Sequence, residues 1–133
     1  MTLVVDASLM VSALVDGGPT GSWAETLLAG EPLSAPHLMP VEAANILRRA
    51  AATSEISADA AAMAHADLLD LRVEFFPYGP FAPRVWELRD HLTAYDAWCV
   101  ALAEFLGSRV ATLDLKLARA TGPRCGFETP PTA

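Results

Sequence analysis

Two short apolar runs, each closed by an aspartate, constrain this chain more than any other feature. Leu3-Val4-Val5 leads into Asp6, and Val110-Ala111-Thr112-Leu113 leads into Asp114. An apolar, β-branched run too short for a helix reads as a strand covered on both faces. Strands of that kind belong to parallel sheets, whose crossover connections lay helices on each side. Helical patterns and short strands alternate along the whole chain. The class predicted is α/β, a three-layer α/β/α sandwich around a central parallel sheet of four or five strands.

The alternation can be followed residue by residue. After Asp6 a helix spans Ala7 to Val15 and stops at Asp16-Gly17-Gly18-Pro19, and a second covers 21–29 before Gly30. Leu33-Ser34-Ala35 is a short strand. A helix then runs from about Leu38 to Ala52, with Met39, Ala43, Ile46, Leu47 and Ala50 forming its apolar stripe. Glu42, Asn45 and Arg49 share a separate polar face. Ser57 caps a helix from Ala58 to about Leu71. Val73 to Phe76 is a strand whose Glu74 points to an edge position. Pro83 to His91 reads as helical, and Tyr95 to Leu106 is apolar nearly all round, so it is expected to be buried against the sheet. Gly107 ends that helix. Arg109 to Leu113 is the fourth strand, Leu115 to about Ala120 a short helix, and Gly126-Phe127-Glu128 a candidate edge strand. One domain over 1–128 is expected, with 129–133 a disordered Pro-rich tail. No internal repeat or linker divides the chain.

Composition narrows the function. Hydrophobic residues make up 53% of 133, enough for one real core. The net charge of −7 argues against a protein that coats nucleic acid, because neutralising phosphates takes Lys and Arg. It leaves room for an enzyme that grips phosphate through metal ions and a small basic rim. Cys99 and Cys125 are the only cysteines and lack the spacing of a zinc site or a disulfide scaffold. Asp6 interrupts the apolar start, so no signal peptide is expected. No apolar run approaches the roughly 18 residues that span a bilayer. A cytoplasmic location with no membrane contact is the expectation.

Four carboxylates fall where ligands bind. Asp6 and Asp114 end strands; Glu42 and Asp96 open helices. In a parallel sheet these positions share the carboxyl edge. Each has a bland role open to it: Asp6 and Asp114 as N-caps, Asp96 in a capping box with Thr93, Glu42 on a helix dipole. Caps, however, need no common edge. Four acids on one edge repel each other unless a cation sits among them, and hard Mg²⁺ or Mn²⁺ prefers such oxygens.

Val4-Val5-Asp6-Ala7-Ser8, Pro40-Val41-Glu42 with Asn45 and Leu47, Tyr95-Asp96-Ala97 with the Ala-Leu-Ala-Glu run at 101–104, and Ala111-Thr112-Leu113-Asp114 with Leu117-Ala118 occur in this order over the whole chain. In these pieces the chain resembles the PIN-domain ribonucleases, and among them the VapC toxins of bacterial toxin–antitoxin pairs. The resemblance implies a parallel sheet, an acidic quartet of Asp6, Glu42, Asp96 and Asp114 holding Mg²⁺ or Mn²⁺, and cleavage of RNA. It also implies homodimers and a cognate antitoxin. Ser8 and Thr112 match hydroxyl positions that support the metal site, with Asn45 beside Glu42. Lys116 stands where such proteins often carry a further acid.

Arg48, Arg49, Lys116 and Arg119 are the candidate RNA contacts, each with a solvated helix face as its other reading. His37, His65 and His91 are dispersed and read as surface or packing residues. Trp23, Trp86, Trp98 and the cluster Phe75, Phe76, Tyr78, Phe81 suit core packing or a dimer or antitoxin groove more than a stacking platform. Competing readings are a metal-dependent phosphatase, which in its dehalogenase-like form needs an acid where Ser8 stands, and a non-catalytic partner-binding module of the same fold.

Overall fold

The computed structural model describes residues 2–132. Its elements, in chain order, are β1 (Leu3–Val5), α1 (Ala7–Val15), α2 (Pro19–Gly30), β2 (Leu33–Pro36), α3 (Met39–Ala52), α4 (Ala58–Asp70) and β3 (Val73–Phe76). A single 3₁₀ turn, Gly79–Phe81, leads to α5 (Ala82–Glu87), α6 (Ala94–Leu106), β4 (Arg109–Ala111), α7 (Leu115–Ala118) and β5 (Gly126–Glu128). The five strands form one sheet in the order β3-β2-β1-β4-β5, and every neighbouring pair is parallel. The α/β/α expectation holds, with five strands.

Period-two alternation divides the sheet between two cores. Leu3 and Val5 enter one with Leu33, Ala35 and Ala111, under α1–α4. Val4 and Val110 enter the other, under α5, α6 and α7. All three residues of β1 are fully buried, which explains why that run carries no polar alternation. β3 lies at an edge, and Glu74 is exposed there as its charge suggests. α6 lies across β1, β2 and β4 and is buried from Ala97 to Ala103.

Caps explain most helix boundaries. The side chains of Asp6, Ser57, Thr93 and Asp114 each accept a backbone N–H of the helix that follows. Gly107 ends α6 at φ +62°, the left-handed conformation that favours glycine. Gly21 is needed for a different reason: a Cβ there would sit 1.8 Å from the Asp16 carbonyl oxygen, where α2 turns back on α1.

The segment expected to be helical from Pro83 to His91 is shorter. α5 stops at Glu87, and the N–H groups of Arg89 and His91 bond back only three residues, to Trp86 and Leu88. The last turn thus tightens into non-helical turns while Val85 and Leu88 stay buried. The fourth strand also ends early, at Ala111, although the Thr112 N–H still bonds to the Glu128 carbonyl at 3.0 Å.

Candidate metal centre

The order of the strands decides where a crevice opens. From β1 the chain steps outward to β2 and β3, then crosses back to place β4 and β5 on the other side. The direction reverses between β1 and β4, and ligands of doubly wound sheets bind outside the carboxyl ends at such a point. Asp6 leaves β1 at this point. Thr112 and Asp114 leave β4 beside it.

Asp6 is almost wholly buried, at 4% exposed. One carboxylate oxygen accepts the Ser8 hydroxyl at 2.8 Å and the Leu9 N–H at 3.0 Å. The other accepts the Thr112 hydroxyl. Thr112 Oγ1 in turn accepts the Asp114 N–H at 3.0 Å, and Ser8 Oγ accepts the Leu113 N–H at 3.2 Å. Two hydroxyls therefore tie the loop after β4 to the carboxylate after β1, across more than a hundred residues of sequence. Asp114 caps α7 through the N–H groups of Lys116 and Leu117, at 2.9 and 3.3 Å.

Asp96 is half-buried in the first turn of α6, its N–H held by Thr93 Oγ1 at 3.2 Å. Burial pushes its carboxyl above the usual range. The Thr93 hydrogen bond opposes this, and the charges of Asp6, Asp114 and Glu42 add to the rise. The other three acids thus all act on the Asp96 carboxyl group. For Asp6 the rise also comes first from burial; bonds from Thr112, Leu9 and Ser8 oppose it, and the Asp114 charge adds to it.

Among the described residues every ion pair uses Arg84 or Arg109, so none of the four acids has a cationic partner. Nor do three acidic, histidine or cysteine side chains among them converge closely enough to hold an ion as they stand. The donor set still suits a hard divalent cation. It offers carboxylate oxygens only, in excess of negative charge, and the half-buried Glu42 and Asp96 and exposed Asp114 have room to rotate.

Asn45 is half-buried one turn beyond Glu42 on α3. Lys116 and Arg119 are exposed just after Asp114. Arg48 and Arg49 are exposed too, but α3 starts at the carboxyl edge and runs away from it. They sit roughly 9–10 Å farther along the axis than Glu42 at 1.5 Å per residue. The three histidines are exposed and none touches Asp6. Trp98 and Phe81 are buried in the second core, whereas Trp86 is 65% exposed with the Arg89 guanidinium 4.8 Å above it.

One residue at the centre escaped the reading of its type. The Tyr95 hydroxyl accepts the Ala7 N–H at 3.0 Å, closing the backbone behind Asp6, while its ring touches both cores. Burial first, with the negative charge of Asp6 adding to it, pushes its phenol far up, so it stays neutral. Its position just before Asp96 was the available signal. The apolar character of α6 hid it, because a buried tyrosine carries a polar tip that must find a partner.

The match to known proteins covers nearly the whole chain. The PIN domain family model matches residues 3–123. Ribonuclease VapC9 of Mycobacterium tuberculosis is 37% identical over 129 residues, covering 97% of this chain and 98% of that protein. Among solved structures, VapC20 of M. tuberculosis, a sarcin–ricin loop cleaving toxin, superposes with a TM-score of 0.66 at 19% identity, over 86% of this chain and 92% of that one. VapBC2 from Rickettsia felis, bound to a DNA fragment from its promoter, gives 0.67 at 14% identity, over 97% and 98%. A sheet with its switch point between β1 and β4, an acidic carboxyl edge and these sequence matches make the chain a member of the PIN domain family, within its VapC ribonuclease branch.

Proposed function

We propose that this chain is an endoribonuclease that requires Mg²⁺ or Mn²⁺, acting in the cytoplasm as the toxin of a type II toxin–antitoxin pair. The observation that carries the reading is Asp96 at the switch point, raised by the charges of Asp6, Asp114 and Glu42 together, with no basic partner for any of the four among the described residues. Keeping them there costs stability, which a function must explain. One domain over 1–128 is the nuclease unit.

Asp6, Asp96 and Asp114, with Glu42 as ligand or water-orienting group, would hold the ion. Bound there, it supplies charge against the scissile phosphate and eases deprotonation of the attacking water. Ser8 and Thr112 keep the Asp6 carboxylate fixed, so its oxygens need no reorganisation. Asn45 supports Glu42 from the next turn of α3. Lys116 and Arg119 meet phosphates at the same edge, with Arg48 and Arg49 farther out, and the products carry 5′-phosphate and 3′-hydroxyl ends.

A cognate antitoxin belongs to this reading, supported by the fold shared with VapBC2. So does a homodimer: Val41, Phe75, Tyr78 and Phe105 are large apolar side chains left in water that a second copy can cover. Among the described residues no helix is long and apolar enough to cross a membrane.

The test is incubation of the pure protein with RNA in Mn²⁺ and in chelator. Cleavage in Mn²⁺ alone is expected, and Asp96→Asn should lower it about a hundredfold or more while leaving the fold intact. Equal cleavage by Asp96→Asn would remove this residue from the site. No cleavage by the parent under either condition would count against the nuclease.

A further inference from the structure

The four described residues after β5 stay against the molecule, and Ala133 lies outside the described residues. Thr129–Thr132 face Leu113, Leu115 and Arg119 across a cavity of about 450 Å³. The segment starts from a pinned residue: the Glu128 carbonyl accepts the Thr112 N–H at 3.0 Å, and its carboxylate is paired with Arg109 at 2.9 Å. Because β5 is parallel to β4, the chain emerges at the carboxyl edge, the edge of Asp6 and Asp114. Thr129 and Pro130 are half-buried there. Pro130 and Pro131 have fixed φ angles, so this wall loses little freedom when something packs against it.

The lining is two-sided in chemistry. Leu115, 44% exposed, and the two prolines offer apolar faces, while Arg119 offers a guanidinium that makes no ion pair among the described residues. The volume lies in the range of small-ligand sites, and a planar base with its phosphate matches an apolar wall beside a cation. Leu113 and Leu115, the two residues that flank Asp114 in sequence, both line the cavity, so an occupant lies beside that acid.

We propose that the cavity between α7 and Thr129–Thr132 is a nucleotide subsite, holding the base next to the scissile phosphate against Leu115 and the prolines, with Arg119 on its phosphate. This rests on the nuclease reading above, and it makes the C-terminal segment a determinant of which sequence is cut. The occupant is a single-stranded RNA nucleotide.

The experiment uses the full chain, a variant ending at Glu128, and Arg119→Gln. A fluorescent single-stranded RNA of random sequence serves for binding, and the same pool with Mn²⁺ for cleavage, with sites read by sequencing. Loss of one base-packing contact should raise KM and weaken binding about tenfold in the shortened chain, with kcat less affected. Its cleavage preference should relax at one position beside the cut. Arg119→Gln should weaken binding and reduce its salt dependence by about one phosphate contact. If the shortened chain fails to fold, Arg119→Gln and Pro130→Gly decide by the same readouts. Unchanged KM, binding and cut-site preference in variants of an active parent overturn the subsite alone. A parent that neither binds nor cuts the RNA overturns both the subsite and the nuclease.

Discussion

Replacing Asp6 by asparagine should make the metal-free protein more stable while abolishing cleavage. At neutral pH the buried Asp6 carboxylate is held by three hydrogen bonds but no cation, and its carboxyl is pushed up by burial and by Asp114. Such an acid takes up protons more readily folded than unfolded. Its charge therefore destabilises the fold above the raised value, and this penalty fades as pH falls through that value toward the ordinary range near 4. Asparagine keeps a carbonyl oxygen for Ser8 and the Leu9 N–H and caps about as well as aspartate. Its amide can donate to Thr112 Oγ1, reversing one hydrogen bond. The net gain expected is about 1 kcal/mol, the usual scale for neutralising a functional residue, or about 4 °C in Tm for a domain of this size. Asp6→Ala should do the opposite. It leaves the Leu9 N–H and two hydroxyls without an acceptor, for a loss of about 2 kcal/mol or more. Urea unfolding at pH 7 in chelator compares the three proteins. Repeating it at successively lower pH should narrow the gap between parent and Asp6→Asn. Excess Mn²⁺ should stabilise the parent by about 2.7 kcal/mol at a hundred times its Kd, and Asp6→Asn far less. If asparagine and alanine destabilise equally in chelator, the carboxylate is a structural cap and the functional-strain argument is wrong.

Two further outcomes follow from the same geometry. Tyr95→Phe removes the acceptor of a buried backbone N–H, so it should cost about 1–2 kcal/mol in chemical denaturation and slow cleavage by disturbing the turn behind Asp6; an unchanged midpoint would show that water replaces the hydroxyl. On the opposite side, burial alone would raise the Glu104 carboxyl, but Arg84, at 2.8 Å, and the Arg124 N–H outweigh it and hold it below the usual range. That stability is present above the unfolded value and lost as pH falls through the folded one, so Glu104→Gln should cost about 1–3 kcal/mol at pH 7 and progressively less in acid. A penalty independent of pH would assign it to packing.

Much of this molecule is legible one residue at a time. Asp6, Ser57, Thr93 and Asp114 announce helix starts because a short oxygen-bearing side chain before an apolar periodic run has one local use. Gly107 announces a stop for the same kind of reason. The stretch from Pro83 to His91 was harder, since Val85 and Leu88 are buried whether the backbone is α-helical or a tighter turn. Arg48 and Arg49 were grouped with Glu42 by nearness in sequence, but a helix carries the two ends of such a group apart. The tail after Glu128 reads as frayed from its prolines; that Thr129–Thr132 line a cavity depends on where β5 delivers them.

The sequence by itself determined the class, the helix limits set by caps, and the placing of four acids at strand ends and helix starts, because these follow from periodicity and short-range hydrogen bonding. Tertiary structure alone decided that β4 lies beside β1, so that Thr112 meets Asp6, the Tyr95 hydroxyl meets the Ala7 N–H, and the C-terminal segment walls the same edge. Strand order is a property of long-range pairing and burial, and no local pattern of side chains encodes which neighbour a buried strand will take.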